Sequence, residues 1–355
     1  MRRRTLLLGL LAGAALPGRA GRAQWTPEPR ERVARPPAAP PRFRAQPPLP
    51  RPVQEIYPAF FDARIIVGGG FEARAPRVAS LADLAPTAAV HAFRPGARAW
   101  ERLPDLPVPL HHPLLVGHLG RLWCIGGFTS SPGAQWRMER RVWTLARGAS
   151  RWEEGPPLPR PQAEAVAGVV GGRLLVAAGR TPMEAANANY ADHGDTQDCW
   201  LLSADGRRWE PGPRVPRGVN SAAFAVLDGR LHMVGGRYAT GGQILNVADH
   251  QVYDPAGSAW TSRAPLPAPR GGHAAAVALG RLYAFGGESF GRNPAVHPEV
   301  FVYDPRADRW QEVARMPEGR HGLGAVGVAG RIHLLGGAAE PGGRATRATH
   351  ELFTP

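Results

Sequence analysis

Eight side chains along this chain have the types and spacing to grip an anion or move a proton. Arg180, Arg237 and Glu288 each directly follow a glycine-ended apolar run. Arg217, Arg270, His273, Arg320 and His321 precede the next apolar run, and Arg270 and Arg320 each lie ten residues before a hairpin glycine, so the two hold equivalent places. Guanidinium groups converging on one mouth would bind a carboxylate bidentately, as in an acidic sugar. The competing use is structural, with the arginines paired to Glu164, Glu288 and nearby backbone. Should the chain be an enzyme, Glu288 or Glu164 beside Arg270 and His321 is the expected proton-transfer set, because general acid–base work needs a donor and an acceptor within reach of one substrate. His111, His112 and Asn220 stand at similar entries.

Other constellations are weaker. Asn189, Asp192 and Asp195 could offer oxygens to a calcium ion, but their spacing fits no known loop pattern and a solvated loop is the expectation. Cys124 and Cys199 read as small buried core residues rather than a disulfide, and no spacing resembles a zinc site. No nucleophile elbow and no paired carboxylates stand out. No cofactor is expected.

The elements that carry these residues repeat. Glycine pairs fall at Gly68-Gly69, Gly126-Gly127, Gly235-Gly236, Gly286-Gly287 and Gly336-Gly337, with a degenerate copy at Ala178-Gly179. Trp100, Trp152, Trp209, Trp260 and Trp310 recur out of phase with them, each before a proline-rich turn. Before each pair lies an apolar run of strand length, such as Leu231 to Val234, joined by a tight turn to an earlier apolar run. A third run ends at Tyr253-Asp254-Pro255 or Tyr303-Asp304-Pro305, where proline stops the ladder. Four antiparallel strands per unit of about fifty residues is a propeller blade.

Six glycine marks imply six blades. The last unit stops after its third strand at Pro355, while residues 43–50 match residues 152–159, with Phe43 in the tryptophan place. The expectation is an all-β, six-bladed propeller over residues 42–355 whose last blade is completed by an N-terminal strand, because an open ring would leave unpaired edges. Long loops at 128–139, 180–198, 237–250 and 288–298 follow the glycine pairs, so one face is elaborated.

The glycine pairs, Tyr-Asp-Pro turns and spaced tryptophans resemble the kelch-repeat family over about residues 43–355. The resemblance implies the propeller fold and says little of function, because such folds host unrelated activities. Two readings follow. One is a binding module, expected as a monomer, that holds a protein or glycan partner on the loop-rich face. The other is a sugar-acting enzyme similar to the kelch-fold N-acetylneuraminate epimerases, a likeness resting on six blades and an export signal. Kelch-like copper oxidases need a cysteine-linked tyrosine that this chain does not offer, since Tyr253, Tyr283 and Tyr303 are spent on repeat positions. A narrow mouth with a desolvated carboxylate touching an arginine would favour chemistry, and a wide wet funnel would favour a partner.

Residues 1–23 open with Arg2-Arg3-Arg4, continue apolar, and reach small residues near Ala20 and Ala23. They read as a secretory signal of the twin-arginine type, which implies a periplasmic or secreted protein. Residues 24–41 are Pro- and Arg-rich, a linker. The formal charge is +14; five arginines and no acids lie in residues 1–23, leaving +9. The chain has no lysine, and its arginines are scattered rather than grouped with stacking aromatics, which argues against nucleic acid. The apolar start is too short to span a membrane as a mature helix.

Overall fold

The computed structural model describes residues 40–74, 78, 80–131, 134–240 and 243–355. The expected export signal and residues 24–39 of the linker lie outside them.

Six four-stranded antiparallel sheets form the blades. Blade 1 holds Ala59–Phe61, Arg64–Gly68, Val90–Phe93 and Glu101–Leu103. Blade 5 is the most regular, with Ala274–Ala278, Arg281–Phe285, Glu299–Asp304 and Arg309–Arg315. Innermost strands pack on one another in sequence, and that of blade 6, Gly324–Val328, returns to Ala59–Phe61. The ring is closed.

Local chemistry explains the blades. The first hairpin of every blade turns on two residues with positive φ, as at Asp228 and Gly229 (50° and 72°), the type I′ geometry that matches strand twist. One boundary differs from the sequence expectation. In blade 1 the left-handed pair is Gly69-Gly70, not Gly68-Gly69, since Gly68 is still strand.

Closure takes the expected form. Arg42–Ala45 pairs antiparallel with His350–Thr354, setting Phe43 opposite Phe353 with ring centroids 5.0 Å apart. Each tryptophan of the series then ties neighbouring blades through its indole N–H. Trp152 donates to the Pro104 carbonyl, Trp209 to Pro156, Trp260 to Pro213 and Trp310 to Ala264, at 2.9–3.0 Å. Trp100 donates to Pro47 at 3.1 Å, so blade 1 is clamped to the N-terminal segment itself. Cys124 and Cys199 are free and buried, and burial pushes the Cys199 thiol up to about 12.

The long loops fold into short hairpins or 3-10 turns over one face. They include Phe128–Ser131 with Ala134–Met138, Arg180–Pro182 with His193–Asp195, and Arg237–Thr240 with Gln243–Asn246. Among the described residues no helix is long and apolar enough to cross a membrane.

Candidate functional site

The repeat places one residue of each blade entry at the axis: Glu55, His112, Glu164, Ser221, Gly272 and Gly322. All six have positive φ, between 50° and 64°. Backbone hydrogen bonds link them in turn. His112 N–H donates to Glu55 O, Ser221 to Glu164, Gly272 to Ser221, Gly322 to Gly272, and Glu55 to Gly322, at 2.7–3.1 Å. Glycine adopts this conformation freely, whereas a side chain there costs about 1 kcal/mol or more. Blades 5 and 6 use glycine. Blades 1 to 4 keep two carboxylates, an imidazole and a hydroxyl in strained positions, a pattern associated with function.

A second ring lies above it, formed by the residues after the glycine pairs: Phe71, Phe128, Arg180, Arg237, Glu288 and Ala338. Each bridges the blade entry, as His111 pairs with Phe128 and Asn220 with Arg237. The loops then raise a wall, with one contribution per blade: Leu81, Trp136, Tyr190, Ile244, Phe290 and the Gly342-Gly343 turn. Together these enclose a cavity of about 280 Å³. Trp136 stands edge-on to Tyr190 at 5.1 Å and to Phe71 at 5.8 Å.

Charged groups form a row across the floor. Glu164 Oε1 lies 3.7 Å from His112 Nε2, and that nitrogen is 2.9 Å from Glu55 Oε2. Glu55 Oε1 is 3.6 Å from His321 Nδ1, which is 3.2 Å from Glu288 Oε1. Glu288 Oε1 accepts from Arg237 at 2.9 Å, and its Oε2 accepts from the Gly342 N–H at 3.2 Å. Carboxylate and base alternate from Glu164 to Arg237. Among the described residues no set of three or more such side chains is arranged to hold a metal ion.

Protonation follows from the partners. Burial alone would raise Glu55, but His112 and then His321 outweigh it and hold the carboxyl well below its usual value. Burial alone would lower His321, yet Glu288 and Glu55 lift it above 6.5. His321 Nε2 faces the Glu340 carbonyl at 3.1 Å, which assigns the titrating proton to Nδ1, between the two carboxylates. His111 Nε2 faces the Gln135 carbonyl, and burial holds His111 neutral, so its Nδ1 accepts from His112 Nδ1 at 2.7 Å. That leaves His112 Nε2 facing Glu55 Oε2 at 2.9 Å. Glu164 is 3 % exposed, and its Oε1 accepts from the Ser221 hydroxyl at 3.1 Å. Its Oε2 is buried with no hydrogen-bond partner.

Of the eight residues expected at the mouth, Arg237, Glu288 and His321 line the cavity. Arg180 sits behind the wall, its guanidinium 3.7 Å from the Tyr190 ring centre and donating to the Tyr190 and His193 carbonyls. His273 lines the axial channel rather than the cavity, with neither ring nitrogen bonded. The expected guanidinium ring does not form. Arg270 donates to the Gly286 carbonyl at 3.0 Å and approaches Glu299 at 3.4 Å. Arg320 donates to the Gly336 carbonyl at 3.0 Å and to Glu351 at 2.7 Å. Both turn into their own blades, because a side chain long enough to reach the axis also reaches the carbonyls of the glycine pair that follows the strand. Gln162 does the same for Ala178. Arg217 is half exposed and pairs with Asp249 away from the axis. Asp192 accepts from the Ala188 and Asn189 N–H groups, capping the turn that presents Tyr190, and Asp195 accepts from Asn220 and the Ala239 N–H. These oxygens brace the loops.

Sequence reasoning passed over Glu55, Ser221, Phe71, Trp136, Tyr190 and Phe290. Aligning blade entries by the repeat would have put Glu55 and Ser221 in the column of His112 and Glu164. The loop aromatics obey no repeat.

The chain is similar in sequence to several curated proteins. Kelch repeat and BTB domain-containing protein 13 of Homo sapiens is 30% identical over 159 residues, 44% of this chain and 32% of that protein. Kelch-like protein terF of Aspergillus terreus is 26% identical over 56% of this chain and 44% of its own length. Beta-scruin of Limulus polyphemus is 23% identical over 64% of this chain and 24% of its own. The match thus spans less than half of each relative. In three dimensions the chain superposes on the structure of YjhT with a TM-score of 0.71 and 16% identity, over 86% of this chain and 95% of that one, a likeness of fold. The family model described as the KLHDC2/KLHL20/DRC7 Kelch-repeats domain matches residues 137–337, more than half of the sequence. With the glycine pairs, the tryptophan clamps and the closed ring of blades, this shows that the chain belongs to the kelch-repeat family.

Proposed function

We propose that the axial cavity binds a monosaccharide-sized sugar and catalyses its ring opening and reclosure, that is, mutarotation. The carrying observation is the alternation of three carboxylates with two imidazoles on the floor of a small, aromatic-walled cavity. Aromatic faces suit the C–H faces of a sugar ring, and the floor suits its hydroxyls. The Arg237–Glu288 contact, both partners buried, meets the condition set above for chemistry over a wet funnel.

The step balances without redox change. Glu164 Oε2 takes the proton of the anomeric hydroxyl as the bond between the anomeric carbon and the ring oxygen breaks. His321 delivers its Nδ1 proton to that ring oxygen. Rotation about the new carbonyl carbon and the reverse transfers close the ring in the other configuration and return both protons. Glu55, between His112 and His321, keeps both imidazoles oriented. Arg237 fills the supporting role that the sequence reading gave to Arg270.

Proton NMR of freshly dissolved single anomers over a panel of free sugars tests this. Catalysis should speed exchange beyond the spontaneous rate, and Glu164→Gln and His321→Asn should each reduce that acceleration by about 10²-fold or more. No acceleration for any sugar in the panel sinks the reading.

A protein or glycan partner on the same face is the second reading, and exposed apolar rim residues favour it: Ile244, Leu245 and Phe290. The family's propeller is an interaction scaffold, and this reading needs no proton transfer. The arginine-led start supports a periplasmic or extracellular setting for either activity. Residues 1–23 fused to a reporter that is exported only when folded would test that placement.

A further inference from the structure

The charges of the cavity oppose the expectation of an anion site. Three carboxylates, Glu55, Glu164 and Glu288, face one guanidinium, that of Arg237, already committed to Glu288. His321 can carry charge, but it stands between two of those carboxylates. The other arginines once expected there are spent elsewhere: Arg180 behind Tyr190, Arg270 and Arg320 inside their blades, Arg217 on Asp249. A ligand carboxylate entering this space would meet like charge, with no free guanidinium among the described residues that line it.

Glu164 is the group left wanting. Its Oε1 is held by Ser221, while its Oε2 is buried without a donor. Such an acceptor is unfavourable until a donor arrives, and a charged donor suits it best. The cavity walls include Phe71, Trp136, Tyr190 and Phe290, aromatic rings of the kind that attract cations, as Arg180 over Tyr190 and Arg237 over Phe290 already do.

We propose that the ligand of the axial cavity carries a protonated nitrogen, so that the sugar is an amino sugar, with Glu164 Oε2 accepting from its ammonium as well as from the neighbouring anomeric hydroxyl. This rests on reading the cavity as a sugar site. Aromatic and acidic groups act together here, since the rings tolerate the cation's alkyl surroundings while Glu164 supplies the opposite charge. A neutral parent sugar would leave Oε2 with a weaker, uncharged donor.

Titration calorimetry at neutral pH and low salt decides. The probes are glucosamine, galactosamine and mannosamine, their neutral parent sugars, glucuronate, and choline as a cation that is not a sugar. At least one amino sugar should bind about tenfold or more tightly than its parent, with no heat from glucuronate. The advantage should collapse in Glu164→Gln. On the wild-type protein it should also vanish above the amine's own pKa, a readout that needs no variant. Parent sugars or glucuronate binding as tightly as the amino sugars would overturn the ammonium while leaving the sugar reading intact. Choline binding with no sugar binding would keep the cation and remove the sugar. Silence from every probe would overturn both.

Discussion

Glu164 shows how one residue can be read as a functional choice. Its backbone sits at φ 51°, in a column where blades 5 and 6 carry glycine, and one of its carboxylate oxygens has no partner. Strain and desolvation are both unfavourable, and the carboxylate's one hydrogen bond is that from the Ser221 hydroxyl. Glu164→Gly copies the residue that Gly272 and Gly322 already use. It should raise stability by about 1 kcal/mol, visible as a midpoint shift in urea, and abolish both the anomer exchange and the amino-sugar preference. A variant no more stable than the parent would mean that Glu164 supports the fold. Arginine positions teach the converse. Arg270 and Arg320 are fully buried, but their partners are glycine-pair carbonyls and carboxylates of their own blades, so burial of a charge there marks cement.

At the scale of the element, the N-terminal strand is the fastening. Arg42–Ala45 supplies the outer edge of blade 6, Gln46 N–H donates to the His350 carbonyl, Leu49 N–H to that of Ala348, and Pro47 accepts from Trp100 of blade 1. Removing residues 42–50 would strip one edge, one tryptophan clamp and the Phe43–Phe353 contact together. The thermal midpoint should fall by roughly 10 °C or more, whereas Phe43→Leu, which keeps the strand, should cost about 1 kcal/mol. Equal midpoints for the deletion and the full chain would show that blade 6 holds without its fourth strand.

At the scale of the molecule, buried histidines set the response to acid. Blades 4 and 6 repeat one device: His232 Nδ1 meets His250 Nε2, and His333 Nδ1 meets His350 Nε2, each pair at 2.8 Å. Burial, joined in several cases by a neighbouring cation or imidazole, lowers His232, His333 and His350 to about 4 and His250 to about 3. His91, His111, His118, His193, His273 and His297 are lowered as well, and His321 alone is raised. The unfolded chain therefore binds more protons than the folded one between pH 6.5 and about 4. Stability from these groups is complete above pH 6.5 and is lost as pH falls toward 4, while the contribution of His321 runs the other way and fades as pH rises. Calorimetric scans should show a nearly constant midpoint from pH 8 to 7 and a fall of about 10 °C by pH 4.5. A flat or rising midpoint across that acid range would contradict the buried neutral pairs.

Much of this architecture is legible in the chain because its causes are local. Type I′ turns, glycine pairs, Tyr-Asp-Pro stops and spaced tryptophans each act within a few residues, and their repetition implies six blades and even the missing strand that residues 43–50 supply. Histidine and glutamate at the blade entries could also be named. What the sequence left open was direction. Arg237 follows a glycine-ended strand and Arg270 precedes the next strand, and one reaches the axis while the other turns into its blade, according to which carboxylate and carbonyl lie nearest in space. Glu55, His112 and Glu164 are more than fifty residues apart along the chain and become neighbours only when the ring closes, because a closed ring brings the inner end of every blade to one axis. Linear order determined the blades, and only that convergence decided that their entries make an acidic, aromatic-walled cavity.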